Sequence, residues 1–204
     1  MIDCERRFFE TGKIEIRKAN GRDNPNQQTL LGYAAKFDVM SENLGGFREQ
    51  IAPGAFTDVL NNDVRALFNH DVNHVLGRTK ACTLRIAQDD VGLYYEVDLP
   101  DTQAARDLVT SIDRGDVSQS SFAFRVAPNG DNWHENDDGI IVRTITKVSR
   151  LYDVSPVTYP AYPDATVGKR SMAAWKARRE ATAGATDQAR RAAESRRRLL
   201  AINV

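Results

Sequence analysis

Gly115-Asp116-Val117-Ser118-Gln119-Ser120-Ser121-Phe122-Ala123-Phe124-Arg125-Val126 alternates in character from Val117 onward, the period of a β-strand. Phe122, Phe124 and Val126 share one face with Ser118 and Ser120. Val117, Gln119, Ser121, Ala123 and Arg125 form the other. The aromatic face is the core face, so Ser121 points away from it, and a slip of one residue would reverse the assignment. Three serines in four positions are ordinary at a polar strand edge, because a serine carries no nucleophilic signal without a base. The base has to come from elsewhere in the chain.

Immediately upstream lies the best helix. Thr102 is its expected N-cap, Ala105, Leu108, Val109 and Ile112 form its apolar stripe, and Gly115 is its stop. Before it, runs at 81–87 and 91–99 read as strands joined through Asp89-Asp90-Val91-Gly92 as a hairpin, with Leu93, Tyr95, Val97 and Leu99 facing in. Further back, Val64–Phe68 reads as a strand ending in Asn69-His70-Asp71, and a short helical turn carries Phe56, Val59 and Leu60. Residues 30–37 read as a strand with Leu31, Tyr33, Ala35 and Phe37 on its inner face, preceded by a polar link over 20–28. Residues 5–18 read as one strand with Ile14 and Ile16 facing in.

Downstream, a polar excursion over 128–139 precedes strand-like runs at 140–148 and 150–159, then Pro160-Ala161-Tyr162-Pro163. The order is mostly strand with a helix near the middle and no strand–helix alternation. The expected class is mainly β (α+β), a barrel or strongly curved sheet flanked by one or two helices.

A chain of 204 residues fits one main domain with appendages. Its 28 Lys+Arg balance 28 Asp+Glu, but unevenly along the chain: residues 168–204 hold 10 basic against 3 acidic residues, so an acidic body, 1–167, carries a basic tail. Cys4 and Cys82 lack metal or redox spacing and read as free thiols in a reducing compartment. The charged N-terminus is unlike a secretory signal, and no stretch approaches transmembrane length.

Each of the three histidines has a distinct setting. His134 falls in the polar excursion and His74 follows a turn-like Asp71-Val72-Asn73. His70 ends a buried strand, a place that suits a hydrogen-bonded structural histidine as well as a base. Serine hydrolysis needs a nucleophile, a base and a group that orients the base, and Ser121, His70 and Asp153 supply those three types. Asp153 is expected on the strand face shared by Leu151, Ser155 and Val157, where an unpaired carboxylate is costly. No Gly-x-Ser-x-Gly elbow is present. The rival reading is a zinc hydrolase using His70 and His74, four apart, but the surroundings read as strand and turn, and no third ligand stands out. Nothing in the pattern calls for a cofactor.

Leu31-Gly32-Tyr33-Ala34-Ala35-Lys36-Phe37, Ile51-Ala52-Pro53-Gly54-Ala55-Phe56, Phe68-Asn69-His70-Asp71, Val75-Leu76-Gly77-Arg78-Thr79, the serine strand and Val154-Ser155-Pro156-Val157-Thr158-Tyr159-Pro160-Ala161-Tyr162 together resemble the prohead proteases of tailed phages. The blocks run in the same order over about 12–167. The resemblance implies the assemblin fold of herpesviruses, a β-barrel with flanking helices. It also implies a serine endopeptidase packaged inside the immature capsid in the host cytoplasm, cleaving the scaffold protein or the scaffold-like segment of the capsid protein. It places the base on His70 and the nucleophile on Ser121. The third member in that family is usually Glu, and this chain has Asp153 there.

Expected partners are the capsid or scaffold protein and a second copy of the chain as a homodimer, with no membrane. The tail over 168–204, outside the resemblance, is expected as a basic helical extension that docks on scaffold and is a candidate for self-cleavage. A nucleic-acid arm is the alternative for its arginine clusters. The competing class for the whole chain is a non-enzymatic capsid scaffold or interaction protein, against which the intact Ser121, His70 and Asp153 argue.

Overall fold

The computed structural model describes residues 4–9, 14–18, 28–159 and 166–202. The polar link over 20–27 and the Pro160–Pro163 segment lie outside them. The chain divides into two compact units, residues 1–167 and 168–204.

The first unit is mainly β. In chain order its elements are β1 (Glu5–Phe9), β2 (Glu15–Lys18), β3 (Gln28–Lys36), β4 (Arg48–Ile51), a 3-10 turn at Thr57–Val59, β5 (Arg65–Phe68), β6 (Asp71–Arg78), β7 (Leu84–Gln88), β8 (Gly92–Asp98), α1 (Gln103–Arg114), β9 (Gln119–Val126), β10 (Asp131–Glu135), β11 (Ile141–Ile145) and β12 (Val148–Val157). The strands form three sheets, ordered β1-β9-β12-β5-β6, β10-β11-β4 and β2-β3-β8-β7. No closed barrel is formed among the described residues.

Local chemistry accounts for the clearest elements. The Thr102 hydroxyl accepts from the Ala105 N–H at the start of α1, and Gly115 ends the helix at φ 84°, a conformation that costs a glycine little. The buried stripe is Ala105, Leu108, Val109 and Ile112, as the periodicity predicts. The β7–β8 hairpin likewise buries Leu93, Tyr95 and Val97 and leaves Tyr94, Glu96 and Asp98 half-buried. One core runs from Leu30 and Tyr95 through Phe56, Phe122 and Phe124 to Ile51 and Ile145, touching all three sheets.

Four expectations are corrected. Residues 5–18 are two strands in different sheets, because β1 pairs with β9 and β2 with β3. A bulge between Tyr33 and Ala35 shifts the parity of β3, so Leu30, Ala34 and Ala35 join the core while the Tyr33 hydroxyl reaches Asp89 at the surface. The excursion over 128–139 contains β10, and His134 lies exposed on that strand. Residues 71–73 begin β6 rather than forming a turn.

The periodic pattern carries no trace of a buried ionic cluster. Arg7 and Arg143 are each 2% exposed, with Glu5 and Glu49 against them. Arg7 donates to Glu49 and Glu5 at 2.8 and 2.5 Å, and Arg143 donates to both at 2.8 Å and to Asp131 at 2.8 Å. Burial opposes the Arg143 charge, but the carboxylates outweigh it and hold the guanidinium protonated. The cluster ties β1 to β4, β10 and β11, and removing one partner from such a network costs about 3–5 kcal/mol.

The second unit is dominated by α2 (Thr166–Ile202), rich in Ala, Arg and Glu as helix propensity favours. Within it Arg179 lies over the Trp175 ring, one turn away. No helix is long and apolar enough to cross a membrane among the described residues.

Candidate active site

Three adjacent strands of the five-stranded sheet converge on one point. β9 carries Ser121, β12 carries Asp153, and His70 follows β5 in the turn to β6. β12 lies between the other two, antiparallel to β9 and parallel to β5.

Ser121 has the parity its strand predicts. Phe122 and Phe124 stack at 4.8 Å in the core, and Ser120 on their face bonds the buried Tyr95 hydroxyl at 2.8 Å. Ser121 on the opposite face meets His70. The strand starts at Gln119 rather than Val117, so Ser118 is exposed ahead of it and Val117 packs in the core.

Asp153 owes its position to a bulge. Leu151 pairs with Phe124, but the next register pair is Asp153 with Ala123, which leaves Tyr152 as the extra residue. Leu151 therefore joins the core, while Asp153 and Ser155 turn to the face of Ser121. The expectation that Leu151 shares the Asp153 face fails for this reason.

His70 is held between them. Its Nδ1 is 2.6 Å from Asp153 Oδ1 and its Nε2 2.7 Å from Ser121 Oγ. A carboxylate accepts only, so Nδ1 carries the ring proton of the neutral imidazole and Nε2 is free to accept from the serine hydroxyl. Ser155, unassigned by sequence reasoning, donates to Asp153 Oδ1 at 3.0 Å. The three groups are nearly buried, at 0% exposure for Ser121, 9% for His70 and 7% for Asp153. A hydroxyl, an imidazole and a carboxylate in series form an arrangement capable of acyl transfer.

Neighbouring candidates are not drawn in. Asp71 accepts from the Asn73 backbone N–H and side chain, bonds that hold its carboxyl below the usual range. His74 is exposed on β6, 3.5 Å from Asp71, and both ring nitrogens of His70 are engaged elsewhere, so the two histidines do not form a ligand pair. No group of three metal-ligating side chains occurs among the described residues. Burial pushes the Cys4 thiol up, which disfavours its reactive thiolate.

β1 lies beside the serine at the edge of the sheet. Phe8 is the register partner of Ser121, and the Arg7 carbonyl oxygen is 2.9 Å from Ser121 Oγ, within reach of the same hydroxyl proton that Nε2 accepts. The Arg7 carbonyl thus competes with Nε2 for the Ser121 hydroxyl proton. Deleting residues 1–9 is therefore expected to speed labelling of Ser121 by a fluorophosphonate, in protein whose circular dichroism remains native. An unchanged rate would show that this competition does not limit the serine.

A model of the family described as caudovirus prohead serine protease matches residues 13–178. Among solved structures, the bacteriophage T4 capsid assembly protease gp21 is similar with a TM-score of 0.47 and 12% sequence identity, over 76% of this chain and 96% of that one. No curated protein matches the chain.

Proposed function

The chain belongs to the caudovirus prohead serine proteases, serine endopeptidases of capsid maturation, and from that premise we propose that Ser121 is its nucleophile, His70 its general base and Asp153 the group that orients His70. The observation that carries this reading is the unbroken series from Asp153 Oδ1 through His70 to Ser121 Oγ, at 2.6 and 2.7 Å.

In the proposed reaction Oγ adds to the scissile carbonyl carbon as its proton passes to Nε2. Asp153 stabilises the imidazolium that forms. The C–N bond then breaks as Nε2 gives the proton to the departing amine, leaving the acyl group on Oγ. Water then adds to the acyl carbon with its proton passing to Nε2, the C–Oγ bond breaks as Nε2 returns that proton to Oγ, and the free acid leaves. From the bulge at Tyr152 the Asp153 carboxylate reaches Nδ1 at 2.6 Å, at the position where the resemblance implies Glu.

The proposed substrate is the scaffold protein, or a scaffold-like segment of the capsid protein, met inside the prohead. The tail, residues 168–204, is the proposed recruiting element, supported by its excess of basic residues and its separation as a compact unit. The assemblin-like barrel belongs to the same reading, supported by the single core that spans all three sheets. Continuous strand pairing around those sheets in a crystal structure would meet it, and three separate sheets would not.

One experiment tests enzyme and tail together. Full-length protein and a truncation after Val167 are each mixed with the matching capsid and scaffold proteins, fragments are read by mass spectrometry, and uptake into proheads is measured. Both forms should yield the same discrete fragments, and only the full chain should be packaged efficiently. Absence of fragments from both would overturn the substrate assignment. Equal packaging would place recruitment in residues 1–167.

A further inference from the structure

His70 occupies a conformation that a side chain rarely adopts. Asn69 and His70 are the two central residues of the β5–β6 turn, closed by the Phe68–Asp71 pair, with φ of 54° and 57°. Positive φ at both positions is the requirement of a type I′ hairpin turn, for which Asn-Gly is the favoured sequence. Asn suits the first position. The second would ordinarily be glycine, and here it bears the imidazole, so the turn is strained at the residue whose placement matters most.

What opposes relaxation is a set of bonds from Asn69 to the end of β12. Its backbone N–H donates to the Pro156 carbonyl at 3.0 Å. Its side-chain amide uses both ends on one residue: Oδ1 accepts from the Thr158 N–H at 2.8 Å, and Nδ2 donates to Thr158 Oγ1 at 3.1 Å. β12 also carries Asp153 and Ser155. The turn that presents the base is thus fastened directly to the strand that presents the acid.

We propose that Asn69 is a positioning residue for the Ser121–His70–Asp153 reading, acting through its side-chain clamp on Thr158 to hold the imidazole in register with both neighbours. Asn69 is exposed, so its side chain fills no part of the core and its loss leaves burial unchanged. An effect on rate would therefore arise through His70.

The test compares Asn69→Gly, which accommodates the left-handed turn but deletes the clamp, with Asn69→Asp, which retains an acceptor for the Thr158 N–H, and with Thr158→Val, which removes Oγ1. Displacing a catalytic group by about 1 Å can cost about a hundredfold. Asn69→Gly should lose about tenfold to a hundredfold in kcat with KM within about twofold, Asn69→Asp should fall between it and wild type, and the Asn69→Gly/Thr158→Val double variant should be no slower than Asn69→Gly alone. The downfield proton resonance of His70 Nδ1–H should broaden in Asn69→Gly. Wild-type kcat in Asn69→Gly would overturn the proposal. So would a loss of rate matched by a loss of native melting, since the role would then be structural. Ser121→Ala runs alongside: if it cleaves normally, the fault lies in the assignment of the nucleophile rather than in the clamp.

Discussion

Ser121→Ala is expected to abolish peptide cleavage, with a loss on the order of a millionfold in kcat, the scale seen when a nucleophile is removed from a serine–histidine unit. The neighbouring serines supply the control. Ser120 is spent on the Tyr95 hydroxyl in the core, and Ser118 is exposed ahead of the strand, so Ser120→Ala and Ser118→Ala should retain most of the activity. His70→Ala should be as inactive as Ser121→Ala, and the double variant no worse than either, because members of one unit fail together. The assay is cleavage of a short peptide, with thermal melts alongside, since the alanine leaves Nε2 without its buried partner at a cost of about 1–3 kcal/mol. Normal turnover by Ser121→Ala would refute the site. Inactivity of a well-folded Ser120→Ala would instead mean that the register of β9 is wrong in the working enzyme.

Asp153→Asn should keep the fold and lose on the order of a hundredfold or more in rate. The reason lies in charge rather than shape. An Asn oxygen in place of Oδ1 can still accept from Nδ1–H and from Ser155, the two donors now at 2.6 and 3.0 Å. It cannot stabilise the imidazolium that forms when His70 takes the serine proton. Asp153→Glu, the residue the resemblance implies at this position, should stay active, although its extra methylene must be absorbed at a site already nearly buried. An Asn variant with an unchanged rate would remove Asp153 from the mechanism. Asp71 would be a poor substitute, since its carboxylate is held by Asn73.

Several elements could be read directly from the chain because their causes are local. The Thr102 cap, the stripe of α1 and the Gly115 stop act over one to four residues, and so does the alternation that buries Leu93, Tyr95 and Val97. The parity of Ser121 is of the same kind, since facing away from Phe122 is a property of strand geometry alone. His70 was legible as a candidate from its place at a strand end, and Asp153 from the cost of a carboxylate among apolar neighbours. Two of the errors share a source. A bulge inserts a residue without any compositional mark, so Tyr33 and Leu151 were each placed on the wrong face by an alternation that breaks beside them. Ser155 and Asn69 carry no signal in isolation, as their roles exist only toward Asp153 and Thr158.

The sequence by itself therefore determined the mainly β class, the central helix, the outward serine and the residue types available for acyl transfer. Only the tertiary structure decided that β12 would lie between β9 and β5, that the bulge at Tyr152 would turn Asp153 toward His70, and that β1 would pair beside Ser121. It alone brought Glu5 to Arg143 across 138 positions to fasten that strand in place. Periodicity and capping are set by neighbours within a few residues. Strand order, bulges and buried charge pairs gain their free energy from partners far apart in the chain, and no local pattern records which partners those will be.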